Sequence, residues 1–420
     1  MTGAAAGELR RRLGVGDAVV IGLGAMIGAG VFAAFAPAAR AAGTALLAAL
    51  AVAAVVAYCN ATSSARLAAR HPRSGGTYVY GTERLGPLWG YLAGWSFVAG
   101  KTASCAAMAL TVGAYAWPEH RRAVAVAAVV ALTAVNCLGV RKAAWLTRLI
   151  VAVTLAVLAA AVTACLTSTR ADTGRLAWDG AASGPHGVLQ AAGLLFFAFA
   201  GYARIATLGE EVKDPARTVP RAIPLALGVT LVVYAAVAVA LLTVLGPDAL
   251  ARSAAPLTDA VRTAGVPGLA PVVRVGAAVA ALGSLLALIL GVSRTTLAMA
   301  RDRHFPYALA AVHPRHGTPV RAEAAVGALV VALTATTDLT GAIGFSSFGV
   351  LVYYAVANAS ALRLGADERR PHPAVPVVGL TGCAVLAASL PPASVLAGLG
   401  VTAVGAVAYA VAPRRGGRSS

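Results

Sequence analysis

Residues 22–43 read GLGAMIGAGVFAAFAPAARAAG, and residues 194–212 read LLFFAFAGYARIATLGEEV. Both are apolar enough for a membrane helix, and both carry residues that interrupt one. In the first, Gly22, Gly24, Gly28 and Gly30 crowd the middle. Glycine costs roughly 1 kcal/mol relative to alanine inside a helix, so Ile27-Gly28-Ala29-Gly30 is a poor place for an unbroken one. In the second, Gly201 stands near the middle with Arg204 just beyond it, and Phe196, Phe197, Phe199 and Tyr202 bracket the interruption.

The chain around these stretches is apolar throughout. Hydrophobic residues fill 59% of the 420 positions and charged residues 12%, with a mean hydropathy of +0.78. A soluble globular chain carries roughly 45–50% apolar and about 25% charged residues. Leu225 to Val244 and Leu149 to Thr169 run without a charge. Each is long enough for a hydrocarbon core of about 30 Å, which takes roughly 20 helical residues. Apolar runs set against charge clusters predict twelve spans, near 17–41, 43–68, 87–116, 122–140, 144–168, 187–209, 219–245, 271–300, 322–338, 340–362, 374–390 and 393–412. The expectation is an all-α polytopic membrane protein.

The two interrupted spans stand first in consecutive sets of five, about 15–168 and 187–362. Corresponding broken helices in two halves point to a transporter built from inverted repeats. Here the symmetry is inferred from span order, because no close residue-by-residue repeat joins the halves. Two extra helices, about 374–412, complete a permease domain over 15–412. Residues 1–14 are expected to be a cytoplasmic N-terminal segment and 413–420 a disordered cytoplasmic tail.

A net charge of +18 would suggest nucleic acid if it were clustered on one surface. Its distribution follows the membrane instead. With the N-terminus inside, the cytoplasmic loops and span ends collect 25 Lys and Arg residues and the outer ones 8, with Lys101 mid-span. That bias orients a membrane protein and removes the need for a nucleic-acid partner. Both termini are therefore expected in the cytoplasm of a bacterium, with the chain in its plasma membrane. The five cysteines lie inside apolar segments without a CxxC pair, and the seven histidines lie in loops or at span ends. No metal, cofactor or disulfide framework is expected from them. No cleavable signal peptide stands out, because the first apolar segment is too long.

Several motifs admit two readings. Unwinding at Gly28 would expose amide N–H groups at the start of an outer half-helix, a site for a carboxylate; close helix packing through small residues is the alternative. The spacing GxGxxxG of Gly22, Gly24 and Gly28 fails as a dinucleotide fingerprint, with no strand or ribose-binding region beside it. Gly94 to Lys101-Thr102 has one residue too many for a phosphate loop, and Gly86, Gly90 and Gly94 read as a helix-packing face. Lys101 lies halfway along span 3, where a charge costs roughly 2.5–3.5 kcal/mol. It is either a tether bonded to carbonyls of the broken helices or a coupling charge. Arg204 either serves the site or snorkels to the surface. The aromatic cluster of span 6 is either packing or a lid over a ligand.

GVGDAVVIGLGAMIGAGVF (14–32), FFAFAGYARIATLGEEVKDPARTVPRAIP (196–224) and GVSRTTLAMARDRHFP (291–306) together resemble the amino acid–polyamine–organocation (APC) permeases. The resemblance implies that the amides of Gly28, Ala29 and Gly30 hold a substrate carboxylate. It implies that carbonyls near Met26 and Ile27, and from Phe197 through Ala198 and Phe199 to Ala200, hold an ammonium. Phe197 takes the position of an aromatic gate, with Tyr202 beside it. Some relatives carry a span 5 lysine in place of sodium, where Thr154 stands here. Relatives often carry a carboxylate where Ala203 stands, and cationic amino-acid carriers an acidic residue near Gly100, where Lys101 follows.

The expected activity is secondary-active transport of amino acids, neutral ones first, by alternating access and without covalent chemistry. The bilayer and the small-molecule substrate are the expected partners. Lys101, Arg204 and Ser284 are the coupling candidates, with proton coupling open and sodium not required. The rival within the fold is a carrier of polyamines or other organocations, disfavoured because no Asp or Glu is placed at the membrane midplane. A membrane receptor or enzyme is the rival outside it. The sequence has no HExxH, no intramembrane Ser/His pair and no large extramembrane domain to support one.

Overall fold

The computed structural model describes residues 13–71, 75–139, 144–177, 184–206, 212–313, 317–365, 368 and 370–411. The expected N-terminal segment up to residue 12, the tail 413–420, and Glu210 and Glu211 lie outside them. The described residues form helices joined by short turns, with a single isolated parallel bridge between Leu13 and Val212.

Ten stretches are long and apolar enough to cross a membrane. Two shorter helices, Val320–Thr336 and Ala374–Ser389, stand where spans 9 and 11 are expected, and neither is among those ten. The chain is an all-α, multi-pass membrane protein. Large apolar side chains face outward along its flanks, among them Trp145, Val232, Leu396 and Val407. In water such a surface would drive association; against lipid tails it is the expected coat.

Backbone polar groups in a hydrocarbon core must find partners within the chain, and the helices meet that demand in spans 2 to 5 (Leu46–Arg70, Pro87–Ala116, Arg121–Cys137 and Ala144–Leu166). Span 7 begins at Pro215 and runs to the Gly246-Pro247 kink, where Gly246 adopts φ +73°. Span 8 is Ala270–Arg301 and span 10 is Leu339–Leu362. Spans 3 and 10 pack backbone to backbone: a Cβ on Gly349 would lie 2.9 Å from the Cα of Gly100. Small residues allow this approach, and dispersion plus interhelical hydrogen bonds make it favourable.

One helix has no counterpart among the expected spans. Thr77–Leu85 lies across the N-terminal face, between spans 2 and 3. Its Tyr78 and Thr82 account for Gly90, and Tyr78 stands against Gly94. A Cβ on Gly90 would stand 2.6 Å from the Tyr78 carbonyl, and one on Gly94 would stand 2.8 Å from the Tyr78 ring. Those glycines serve packing, as expected. Gly86 is a different case: it turns the chain at φ +105° with open space around it.

Candidate functional site

Span 1 is helical over Val15–Met26, breaks at Ile27 and Gly28, and resumes as Ala29–Ala33. A bend at Ala34 then leads into Phe35–Ala42. Span 6 takes a milder course. Its α-helix Gly184–Phe199 tightens into a 3₁₀ turn, Ala200–Tyr202, before Ala203–Ala206. At both interruptions the glycines meet neighbours that leave no room for a side chain.

Those neighbours are largely one another. A Cβ on Gly201 would stand 2.5 Å from the Ala25 carbonyl and 2.7 Å from the Met26 nitrogen, and one on Gly30 would stand 2.7 Å from Ala198 Cβ and 2.8 Å from its Cα. A Cβ on Gly28 would overlap the Ser284 hydroxyl of span 8. The broken spans are also joined at the N-terminal face, where the Lys213 N–H donates to the Leu13 carbonyl at 2.9 Å. Interruption thus faces interruption across the centre of the molecule.

Polar side chains from the surrounding spans take up the carbonyls at this crossing. Tyr234 of span 7 points its hydroxyl at two of them, Met26 at 2.6 Å and Ala198 at 3.0 Å. Lys101 of span 3 is buried and donates from Nζ to the Ala200 carbonyl at 3.3 Å. Ser284 donates to the Gly24 carbonyl at 3.1 Å, and Tyr115 to the Phe32 carbonyl at 3.0 Å. Helix ends carry partial charges that attract opposite ones. Here Tyr234 and Ser284 serve the carbonyl-rich end of the first half-helix, and Lys101 serves the 3₁₀ turn of span 6.

Each residue singled out in the sequence has a definite place. Met26, Ile27, Gly28, Ala29 and Gly30 lie at the span 1 break, all buried. Phe197, Ala198, Phe199 and Ala200 lie across from them, also buried. Phe199 meets Tyr234 edge-on at 5.0 Å, and Phe196 meets Tyr354 edge-on at 5.9 Å. Tyr202 stacks on Tyr354 at 5.0 Å, so it belongs to an aromatic wall shared with span 10. Ser284 and Lys101 both touch the crossing. Arg204 is half-buried in Ala203–Ala206, beyond the 3₁₀ turn. Thr154 is buried and donates to its own helix at Ile150.

Sequence reasoning missed Tyr234, the residue that bonds both broken spans. The signal was the lone phenol in the charge-free run Leu225–Val244, since a phenol in hydrocarbon must find an acceptor. It also placed no acidic group deep in the bundle. Glu323, three residues into span 9, has no exposed surface at all.

Among the described residues the crossing is buried. Away from the N-terminal face, a crevice of about 220 Å³ reaches down to Ala33 and Ala36, one to two helical turns beyond Gly30. Arg40, Arg121, Arg122 and Arg252 line it. On the N-terminal face an ionic latch spans three segments: Glu368 accepts from Arg84 at 2.5 and 2.9 Å, from Arg70 at 2.8 Å and from the Gly365 N–H at 2.8 Å. The Arg84 guanidinium, with the Gly365 amide, holds the Glu368 carboxyl down to about 2. Beside it, Tyr78 donates to Asp302 at 2.5 Å.

A multi-pass bundle with two interrupted helices crossing at a buried, carbonyl-rich centre defines a transporter. The comparisons name the family: the amino acid permease profile matches residues 13–412, and the chain belongs to that family, within the APC superfamily. It is 72% identical over 404 residues to an uncharacterized transporter of Mycobacterium tuberculosis, covering 96% of this chain and 92% of that one. It is 26% identical to the methylthioribose transporter of Bacillus subtilis, over 97% of this chain and 94% of that one. It is 30% identical to the human cationic amino acid transporter 4, over 87% of this chain and 61% of that one.

Proposed function

We infer that this chain is a secondary-active permease for neutral amino acids in a bacterial plasma membrane, with both termini in the cytoplasm. The observation that carries the reading is the crossing of span 1 and span 6, interruption against interruption. In it the amides of Gly28, Ala29 and Gly30 receive the substrate carboxylate. The carbonyls of Met26, Ile27 and Phe197 to Ala200 receive the ammonium, some of them after release by Tyr234 and Lys101. Phe197 and the Tyr202–Tyr354 wall gate the two sides. Alternating access moves the buried crossing described above toward an opening on either face.

Two features support a substrate without a second positive charge. Lys101 already stands at the crossing as a cation. The outer crevice is lined by four arginines and one carboxylate, Asp338, a field that repels a cation on approach. Glu323 does not offset this, because its helix packs against spans 3, 4 and 8 rather than against the crossing. Lys101 also stands in for a coupling cation, so sodium is not required, with Ser284 and Arg204 as secondary candidates. The full-length relative named for methylthioribose favours one further reading, a neutral solute that is not an amino acid.

Uptake by purified protein in proteoliposomes tests all of this. The panel holds neutral, acidic and basic amino acids, putrescine and methylthioribose, with and without sodium. Neutral amino acids should compete best, in either buffer. If arginine or putrescine competes better than every neutral amino acid, the substrate assignment is wrong; strict sodium dependence overturns the role given to Lys101.

A further inference from the structure

Among the described residues, Glu323 is the one charged side chain buried completely without an evident use. It lies in the first turn of Val320–Thr336, its N–H bonded to the Pro319 carbonyl at 2.9 Å. Its side chain has no exposed surface, and neither carboxyl oxygen has a hydrogen-bond partner among the described residues. No described residue forms an ion pair with it.

The groups facing it explain which form this packing accepts. From span 8 come Ser293 and Arg294. Ser293 already donates its hydroxyl hydrogen to the Ile289 carbonyl at 2.8 Å, so it has only a lone pair to offer a neighbour. Arg294 is exposed at the bundle surface. From span 4 comes Cys137, and from span 3 Cys105. Tyr307, in the short turn that also packs on this helix, lies under the Arg303 guanidinium instead. Arg321, on the same helix, is exposed and reaches the Ala308 carbonyl at 3.5 Å. Among the described residues none of these groups is hydrogen-bonded to the carboxyl oxygens, whereas a carboxylic acid can donate a hydrogen of its own. An isolated buried carboxylate neutralises rather than bear the cost of desolvation.

The position links two places that matter for transport. Gly317 and Arg321, flanking Glu323, are exposed, so water on the N-terminal face is about one helical turn away. In the other direction, the Glu323 helix packs on span 3, which carries Cys105 one helical turn from Lys101, and Lys101 holds the Ala200 carbonyl. A titratable group thus sits between solvent and the cation at the crossing.

We propose that Glu323 is the proton-carrying residue of the transport cycle: it is the neutral acid in the closed state and releases its proton to water when the N-terminal face opens. The inference rests on the carrier reading above and adds to it the identity of the group that titrates. In each cycle the carboxyl O–H breaks on one side of the membrane and re-forms from a proton supplied by the other. The proton and the substrate therefore move together.

The test uses full-length protein in proteoliposomes with a pH-sensitive dye trapped inside. An equimolar mixture of neutral amino acids is added outside, and proton entry is recorded alongside amino-acid uptake. The parent should admit protons on addition. At one proton per substrate, a gradient of one pH unit supports about tenfold accumulation. Glu323→Gln copies the neutral acid in shape, so it should keep amino-acid exchange, admit no protons and accumulate nothing. Glu323→Asp should keep proton entry with a displaced pH midpoint, a result that a merely structural carboxyl would not give. Proton entry persisting in Glu323→Gln overturns the proposal. So does uptake by the parent without proton entry, in which case the carrier reading stands alone. Absence of any amino-acid uptake by the parent removes both. Should Glu323→Gln fail to fold, infrared difference spectra of the parent decide: a protonated-carboxyl band that titrates is required, and its absence ends the proposal.

Discussion

The Tyr234 hydroxyl lies 2.6 Å from the Met26 carbonyl, at the point where span 1 stops being helical. The same oxygen lies 3.0 Å from the Ala198 carbonyl, so a single phenol serves both interrupted spans. It has one hydrogen for two acceptors, which leaves room for a second donor. In the proposed cycle the substrate ammonium is that donor. Tyr234→Phe should lower thermal stability in detergent, because a buried carbonyl left without a donor costs about 1–3 kcal/mol. Bound amino acid should then raise the unfolding temperature more in the variant than in the parent, since the ammonium restores what the phenol gave. An equal or smaller shift would show that substrate does not reach these carbonyls.

Gly28 and Gly30 are both closely packed, and the two contacts predict different behaviour. The obstacle at Gly28 is the Ser284 side chain, while the obstacle at Gly30 includes the Ala198 Cα at 2.8 Å. Gly28→Ala should therefore lose uptake and stability, and Ser284→Gly in the same chain should restore both to the level of Ser284→Gly alone, which lacks only the bond to the Gly24 carbonyl. The backbone N–H groups survive that double change. Gly30→Ala has no such remedy, because backbone must move. Comparison of unfolding temperature and uptake among the four variants tests this. A double variant no better than Gly28→Ala would exclude Ser284 as the obstacle.

Much of this was legible in the sequence because the membrane imposes strong rules. Charge-free runs such as Leu225–Val244 mark helices by length alone, and glycines cannot crowd Ile27-Gly28-Ala29-Gly30 without weakening a helix. What stayed hidden depends on which neighbours a residue meets. Tyr234 looks like any aromatic in a span until its hydroxyl is seen to reach two other helices. Glu323 stands beside Arg321 and near a predicted span end, so it reads as interfacial; spans 3, 4 and 8 closing over it are what bury it. Thr77–Leu85, with Glu83 and Arg84 in a loop by hydropathy, is a helix held through Tyr78 and Arg84. Lys101 was visible as an anomaly, but only geometry separates a contact with Ala200 from the alternatives.

Lys101 and Glu323 should behave as one unit. Each is buried, and the helix that carries Glu323 packs on the one that carries Lys101. Lys101→Met should abolish pH-driven accumulation while leaving some exchange, as Glu323→Gln does. The double variant should then match either single one, because groups sharing one path couple and distant independent groups add. The measurement is initial uptake against external pH for the four proteins. An unchanged pH profile in Lys101→Met would make that lysine a structural tether to the Ala200 carbonyl.

The Glu368 latch gives a pH prediction of opposite character. Arg84 and the Gly365 amide hold its carboxyl down to about 2 in the folded protein, against about 4.3 in an unfolded chain. A depressed carboxyl contributes stability that is fully present above the unfolded value and is lost as pH falls through the folded one. The latch therefore stays closed across the range in which bacteria maintain a proton gradient, and acid alone does not open it. Glu368→Gln should lower the unfolding temperature in detergent at neutral pH. That deficit should shrink as pH falls below about 4, where the parent loses the same contribution. Its uptake should keep the parent's pH profile, because the titrating group proposed for transport is Glu323. A Glu368→Gln profile that flattened instead would move the pH-sensing step to the N-terminal face and away from span 9.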